Sequence, residues 1–323
     1  MPTINTAVIG CGSWGRNHAR VYRSLPGATL AAISDSYEPT AREIGELHRV
    51  PYNTDPDKIL RDPDIQVVNI CTPTVTHFDL AIRAIENGKH VLVEKPMTNT
   101  IDEAKNLIRA AQKAGVFLTV GFVERFNPAV QEVYKRIASR EIGDVILAHT
   151  RRVSRSPQRI GDVGVVKDLA IHDLDIINHL FDGEPLYVSA VTGKIRHKYE
   201  DYANINLFYK GDRNAFVEVN WLTPRRIRTL TVTGTEGIIN VEYTTQQLTI
   251  ENNEMIIQPF LTYKEPLYEE LRSFIDHIAK GIPPEITGED GLRALKLCEA
   301  ALKSSEIKQM IKVNRRDKGV HVS

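Results

Sequence analysis

Short apolar segments alternate with amphipathic segments along roughly the first third of the sequence. The apolar segments are residues 4–9, 30–34, 65–70, 90–93 and 116–120. Between them lie longer segments, such as 76–87 and 101–113, whose apolar residues recur with helical spacing. Near-continuous apolar strands that alternate with helices are typical of a parallel sheet covered on both faces. The pattern therefore predicts a Rossmann-type α/β domain over residues 1–122.

The pattern changes after residue 122. A helix over 128–139 and a strand over 145–153 are followed by consecutive strand-like segments that extend to about residue 258. Turn sequences such as Lys210-Gly211-Asp212 favour hairpins and hence an antiparallel sheet. Two further helices close this half. We therefore expect a second domain of α+β type over residues 123–323, with one face of its sheet covered by helices and the other meeting another subunit.

Composition and charge restrict the function. Lys plus Arg and Asp plus Glu both number 41, so there is no net positive charge to recruit nucleic acid or an anionic membrane. Three scattered cysteines without a Cys-x-x-Cys pair predict neither a disulfide framework nor a metal site. No apolar stretch approaches the ~20 residues of a membrane span. We expect a cytoplasmic protein that binds a small-molecule substrate.

A glycine-rich turn joins the first strand to the first helix. It contains Gly10, Cys11, Gly12, Ser13, Trp14 and Gly15, which match G-x-G-x-x-G between a strand and a helix. In this motif the first glycine permits the tight turn, the second lets the backbone approach a pyrophosphate, and the third allows close packing. The helix N-terminus then attracts the phosphates. Glycine turns also occur for purely structural reasons, so the motif needs support.

That support comes from Asp35, which follows the second strand and lies twenty residues after Gly15. An acid at this place accepts hydrogen bonds from the adenosine ribose hydroxyls. Its charge would repel a 2′-phosphate, and no Arg follows immediately to neutralise that phosphate. The sequence therefore predicts NAD rather than NADP. The alternative is that Asp35 only caps the next helix.

Polar residues also follow two later strands, at the sheet edge where ligands bind in such folds. They are Cys71, Thr72, Pro73 and His77 after one strand, and Glu94, Lys95 and Pro96 after the next. We expect them to line the cofactor crevice, with His77 on the nicotinamide side. Lys95 carries most weight because Pro96 restrains it. The alternative is a solvent-facing lysine paired with Glu94.

An apolar helix in the second half carries Asp168 and His172, four residues apart and so on one face. Such a pair could handle a proton, although a satisfied structural pair is equally compatible. Just before it lie Arg151, Arg152, Arg155 and Arg159. Together with Arg125, these arginines suit bidentate binding of phosphate oxygens. An ordinary salt-bridged strand is the alternative.

These residues, taken in order, resemble the Gfo/Idh/MocA oxidoreductase family over essentially the whole sequence. The resemblance implies an NAD(P)-binding domain and a C-terminal domain with a large, mostly antiparallel open sheet, through which a homodimer or homotetramer forms. It also implies oxidation or reduction of a secondary alcohol of a sugar, cyclitol or nucleotide sugar. Carried over by residue, Lys95, Asp168 and His172 are the catalytic set.

Histidine has an ordinary pKa of about 6.5 and lysine of about 10.4, so His172 needs less tuning to serve as a base near neutral pH. Lys95 would then donate to the substrate oxygen, and Asp168 would orient the substrate or the lysine. If His172 proved dispensable, Lys95 would have to be the base.

Three stretches, residues 123–129, 151–153 and 159–166, resemble the UDP-N-acetylglucosamine 3-dehydrogenases within this family. This implies oxidation of a 3-hydroxyl to a 3-keto sugar, with Asn127 as a further substrate contact. A dehydrogenase of a free sugar or inositol is the alternative among enzymes. A cofactor-binding sensor or regulatory protein is the alternative outside them, although Lys95, Asp168 and His172 would then have no chemical purpose.

Overall fold

The computed structural model describes residues 3–155 and 161–313, and these form two compact units. Residues up to 126, together with 264–295, make the first unit. The second contains the described residues of 127–263 and of 296 onwards. This division differs from the one predicted at residue 122, which places residues 264–295 in the second domain. None of the helices in the described ranges is long and apolar enough to cross a membrane.

A parallel sheet forms the centre of the first unit, as the apolar pattern predicts. Its strands are β1 (Ile4–Ile9), β2 (Ala28–Ser34), β3 (Tyr52–Asn53), β4 (Val67–Ile70), β5 (His90–Glu94) and β6 (Leu118–Gly121). They lie in the order β3-β2-β1-β4-β5-β6, and every pairing is parallel. The order reverses at β1, and this is where a doubly wound sheet binds its ligand. The Rossmann-type prediction is confirmed.

The helices follow the predicted segments closely. They are α1 (Ser13–Ser24), α2 (Glu38–His48), α3 (Asp57–Leu60), α4 (His77–Glu86), α5 (Ile101–Ala114), α6 (Pro128–Ala138), α7 (Ile171–Leu180), α8 (Pro266–Lys280) and α9 (Gly288–Ile307). Helix α5 shows why helix boundaries can be predicted from the sequence. Thr100 and Glu103 form a capping box at its start, and Gly115 ends the helix with a positive φ.

Helix α8 explains why residues 264–295 belong to the first unit. Its apolar face, with Leu271, Phe274 and Ile275, joins the same core as Ala19 and Tyr22 of α1. Sequence periodicity identifies an apolar face but not the surface against which that face packs.

The second unit contains a nine-stranded sheet. The remaining strands are β7 (Val145–Arg155), β8 (Tyr187–Gly193), β9 (Tyr202–Phe208), β10 (Asn214–Asn220), β11 (Leu222–Gly234), β12 (Ile238–Glu242), β13 (Gln247–Glu251), β14 (Ile256–Ile257) and β15 (Ile311–Lys312). Their order is β14-β13-β12-β11-β7-β10-β9-β8-β15. Only the β7–β10 pairing is parallel among these described strands. The mostly antiparallel sheet is confirmed.

Candidate active site

The glycine-rich loop between β1 and α1 has the backbone that dinucleotide binding requires. Gly10 has a φ of +89°, which favours glycine. A Cβ at Gly15 would lie 1.7 Å from the Gly10 carbonyl oxygen, so only glycine fits there. A Cβ at Gly12 would meet nothing within 4 Å, so the loop backbone faces open space. The structure thus matches the three roles of the motif, and the N-terminal amides of α1 can receive a pyrophosphate.

Asp35 is fixed against this loop. Its Oδ2 accepts a hydrogen bond from the Cys11 backbone N–H at 2.7 Å, and its Oδ1 accepts one from the Tyr37 backbone N–H at 2.9 Å. Burial and the Asp35 charge together raise the pKa of the Cys11 thiol to about 12, so the thiol is neutral. Asp35 therefore has a structural role as well as the position of the ribose-binding acid.

Removing the charge of Asp35 should change the cofactor preference. We expect Asp35→Asn to lower the ratio of kcat/KM for NAD over NADP by about 10- to 100-fold, since a nearby charge no longer opposes a 2′-phosphate. The amide oxygen of Asn can still accept one backbone hydrogen bond, whereas Asp35→Ala loses both. If the ratio changes only in the alanine variant, the loop contacts rather than the charge set the preference. Steady-state kinetics with both cofactors measure the ratio.

His77 connects the segments that follow β4 and β5. Its imidazole ring is buried, with Nδ1 2.8 Å from the Pro96 carbonyl oxygen and Nε2 2.8 Å from the Thr72 carbonyl oxygen. Carbonyl oxygens only accept hydrogen bonds, so whichever ring nitrogen carries a proton can donate to one of these two backbone segments. His77 thus lies between two backbone segments, and its place on the nicotinamide side stays a prediction. Sequence spacing could not reveal this, because it does not show what a ring contacts.

Lys95 follows the last residue of β5, Glu94. The Glu94 carboxylate is buried and its Oε1 lies 3.0 Å from Nε2 of His18, so Glu94 is not the exposed partner of a surface lysine. Lys95 itself is partly exposed. Burial, and then the nearby Glu94 charge, raise the pKa of Cys71 well above its ordinary value, so this thiol is also neutral. Lys95 therefore lies at the carboxyl end of the sheet, directly after β5.

In the second unit, Asp168 and His172 lie on successive turns of one helical segment. Residues Val166–Ala170 form a π turn that continues into α7. Both side chains are buried, at 5% and 8% exposure, within an otherwise apolar helix. A four-residue spacing keeps them on one side of the segment. Single π turns of this kind are frequent at functional sites.

Glu200 fixes the start of this segment, a role that the sequence did not suggest. Its Oε1 accepts a hydrogen bond from Val166 N–H at 3.2 Å, and its backbone oxygen accepts one from Val165 N–H at 2.9 Å. Gly164 leaves room for the carboxylate, because a Cβ there would lie 2.1 Å from Oε1. Burial raises the pKa of Glu200 despite these bonds.

A buried ion pair ties α7 to the sheet. Nε and Nη2 of Arg152 lie 3.0 and 2.9 Å from the two oxygens of Asp173, the residue after His172. Both side chains are almost completely buried, and the guanidinium also lies over the ring of Tyr243, 5.0 Å from its centroid. This pair holds the helix that carries His172. In the sequence, the charged residues within an otherwise apolar helix were the signal that could have pointed to Asp173.

The other arginines predicted to bind phosphate differ in whether they pair with a carboxylate. Arg151 pairs with Glu218 at 3.0 Å, and Arg125 with Asp290 at 3.0 Å. Although burial favours the neutral acid, Arg125 holds the pKa of Asp290 below its ordinary value. Arg155 is exposed at the end of β7, and Arg159 lies outside the described residues.

Asn127 contributes to the local structure of the second unit. Its side-chain oxygen accepts a hydrogen bond from Ala129 N–H at the start of α6, and its Nδ2 donates to the Tyr243 carbonyl oxygen at 3.0 Å. The residue is buried. These contacts give Asn127 a structural role, and its substrate contact stays a prediction.

The first unit has the features of a dinucleotide-binding domain, a glycine loop at the switch point of a parallel sheet and an acid after β2. The chain belongs to the Gfo/Idh/MocA family. Residues 4–122 match the family model described as an oxidoreductase family with an NAD-binding Rossmann fold, and residues 130–240 match the GFO/IDH/MocA C-terminal domain. The protein is an NAD-dependent dehydrogenase that acts on a CH–OH group.

Similar proteins include two inositol dehydrogenases that align over nearly their full length. The scyllo-inositol 2-dehydrogenase (NAD(+)) of Bacillus subtilis is 33% identical over 321 residues, covering 93% of this chain and 94% of that protein. The myo-inositol 2-dehydrogenase of Thermotoga maritima is 31% identical over 338 residues, covering 96% and 98%.

A third relative acts on a nucleotide sugar. The UDP-N-acetylglucosamine 3-dehydrogenase of Acidithiobacillus ferrooxidans is 37% identical over 188 residues, covering 58% of each protein. A solved structure of the enzyme of this name from the same species has a TM-score of 0.88 and 29% identity, covering 95% of this chain and 99% of that one.

Proposed function

We propose that this dehydrogenase oxidises a secondary hydroxyl on the ring of a sugar or cyclitol. The observation that carries the proposal is the buried Asp168–His172 pair on one helical segment, in a chain whose first unit has the NAD-binding loop. The relatives support it, because their names all specify oxidation at a ring carbon of inositol or a sugar.

His172 is the proposed general base and takes the proton of the reacting hydroxyl. Bound NAD would supply the acceptor for the hydride from the carbon that bears this hydroxyl, and the products would be a ketone and NADH. Lys95 is proposed to donate a hydrogen bond to the oxygen as negative charge develops on it. Asp168 is proposed to orient the substrate. Of these groups, the imidazole has the ordinary pKa nearest neutral pH.

One candidate substrate is UDP-N-acetylglucosamine, oxidised at its 3-hydroxyl. The 37% identity to the Acidithiobacillus enzyme supports it, as does the resemblance of three stretches to dehydrogenases of this kind. Among the arginines predicted to bind phosphate, Arg155 lies exposed at the end of β7, which leaves its guanidinium accessible to a diphosphate.

The second candidate is a free inositol. The inositol dehydrogenases align over nearly the whole chain. In addition, Arg125, Arg151 and Arg152, which could have formed a phosphate site, each pair with a carboxylate. A free cyclitol needs no diphosphate-binding arginine.

Incubation of the protein with NAD and one substrate at a time separates the two candidates. The substrates are UDP-N-acetylglucosamine, N-acetylglucosamine, myo-inositol and scyllo-inositol. A carbonyl trap removes the ketone, NADH is followed by absorbance and the product by mass. Turnover that requires the UDP group would establish the nucleotide sugar, and turnover of an inositol the second candidate. Absence of NADH with all four substrates would overturn the proposed function.

If the UDP-sugar is the substrate, Arg155→Ala should raise its KM about tenfold, the loss of one charge-assisted hydrogen bond, and leave kcat nearly unchanged. The double change with Arg159→Ala tests the second predicted arginine. Lys303→Ala, which removes an exposed cation from α9, is the control. Equal KM values for Arg155→Ala and the control would exclude Arg155 from diphosphate binding.

We also propose that the protein forms a homodimer or homotetramer through the open face of the nine-stranded sheet. Supporting this, Leu147, Tyr187 and Val191 are exposed apolar residues on its strands. Sedimentation of the purified protein tests the assembly, and a monomer at micromolar concentration would contradict it.

A further inference from the structure

Three titratable side chains lie buried together in the first unit: His18 on α1, Glu94 at the end of β5 and Glu270 on α8. His18 and Glu94 are hydrogen-bonded through Nε2 and Oε1 at 3.0 Å. Gly121, paired with Glu94 on β6, makes room for the carboxylate, because a Cβ there would lie 3.0 Å from Oε1. The fold therefore holds Glu94, the residue directly before Lys95, in place.

Three polar atoms of this cluster have no hydrogen-bond partner among the described residues. They are Nδ1 of His18 and both carboxylate oxygens of Glu270. Buried polar atoms are nearly always hydrogen-bonded in proteins, and a bond between His18 and Glu270, direct or through a water, would satisfy both residues. When the ring proton is on Nε2, where it can donate to Glu94, Nδ1 is an acceptor. A protonated Glu270 can donate to that nitrogen.

The surroundings favour this protonation state. Burial, and next the charge of Glu94, raise the pKa of Glu270 well above its ordinary value. Two other titratable groups near Glu270 are uncharged. The Cys71 thiol has its pKa raised by burial, and the Tyr22 hydroxyl, whose pKa burial also raises, donates to Asn69 at 3.0 Å. A second negative charge beside Glu94 would thus have no compensation from these groups.

We propose that Glu270, His18 and Glu94 form a buried hydrogen-bonded relay that positions Lys95 for the dehydrogenase reaction. The acid form of Glu270 donates toward Nδ1 of His18, directly or through one water, and Nε2 of His18 donates to Glu94. Glu94 in turn fixes the end of β5, from which Lys95 extends. Glu270 and His18 are positioning residues, and the inference rests on the role proposed above for Lys95.

Two substitutions at Glu270 separate this role from simple packing. Glu270→Leu fills the space of the glutamate side chain but has no hydrogen-bond donor, whereas Glu270→Gln keeps a donor in its amide group. We expect the leucine variant to lower kcat about tenfold at saturating NAD and substrate, and the glutamine variant to recover most of that loss. If Glu270 contributed only packing, the kcat of the leucine variant would be at least as high as that of the glutamine variant. Asp276→Asn, at an exposed acid of the same helix, is the control.

An infrared difference spectrum of wild type against Glu270→Gln tests the cluster independently of turnover. At neutral pH it should show the carbonyl band of a protonated carboxylic acid that the variant lacks. An ionised Glu270, or a leucine variant with wild-type kcat, would overturn the relay. If wild type oxidises none of the four substrates, the proposed function fails, while the infrared band still decides the protonation state. Thermal unfolding of each variant checks that it folds.

Discussion

Replacing His172 with asparagine should lower kcat by about 10²- to 10⁴-fold, the usual contribution of a positioned general base. The reason is that hydride cannot leave the carbon efficiently while the hydroxyl proton remains. Asparagine retains a polar side chain but cannot accept that proton near neutral pH. The loss should appear in kcat with saturating NAD and whichever substrate wild type oxidises, and is measured as the rate of NADH formation.

His179 provides a matched control, because it lies on the same helix but is exposed. His179→Asn should leave kcat unchanged, and the dissociation constant for NAD should stay within about twofold in both variants, since neither residue belongs to the glycine loop. If His172→Asn kept most of its turnover, the base role would pass to Lys95.

A pH profile gives a second view of the same role. A general base must be unprotonated to act, so wild-type kcat should fall as the pH is lowered and His172 gains a proton. The residual activity of His172→Asn should lack this decline. A decline that persists unchanged in the variant would assign it to a different group.

Much of the first unit was predictable because its determinants are local in sequence. The alternation of apolar strands and amphipathic helices identified the parallel sheet, and Gly10 and Gly15 are required by backbone geometry alone. The second sheet was harder. Hairpin turns predict antiparallel neighbours, but the parallel contact of β7 with β10 joins segments that are distant in sequence. No turn sequence marks such a pairing.

The arginines near the candidate site also have contacts that the sequence alone does not predict. Arg152 and Arg155 belong to one short run and have the same chemistry, yet one is buried against Asp173 and the other is exposed. The difference follows from the position of β7 in its sheet and from the packing of α7. Sequence identified where cations accumulate, but only tertiary structure shows which of them already has a carboxylate.

The buried pair of Arg152 and Asp173 leads to the largest stability effect that we expect. Asp173→Asn leaves a guanidinium without its carboxylate at a site where both side chains are almost fully buried. Breaking such a pair on one side costs about 3–5 kcal/mol of unfolding free energy. For a unit of the size of the second one, that corresponds to a fall in the Tm of its unfolding of roughly 6–20 °C, measured by thermal unfolding of the full chain.

The double variant Arg152→Met/Asp173→Leu should recover most of this loss, because it removes both charges of the pair. The exposed pair of Arg140 and Asp144, directly before β7, is the control. Asp144→Asn should cost only about 0–1 kcal/mol, since water screens an exposed pair. Equal costs for Asp173→Asn and Asp144→Asn would mean that burial does not strengthen the Arg152 pair. The helix that carries His172 would then be held by its apolar contacts and by Glu200 instead.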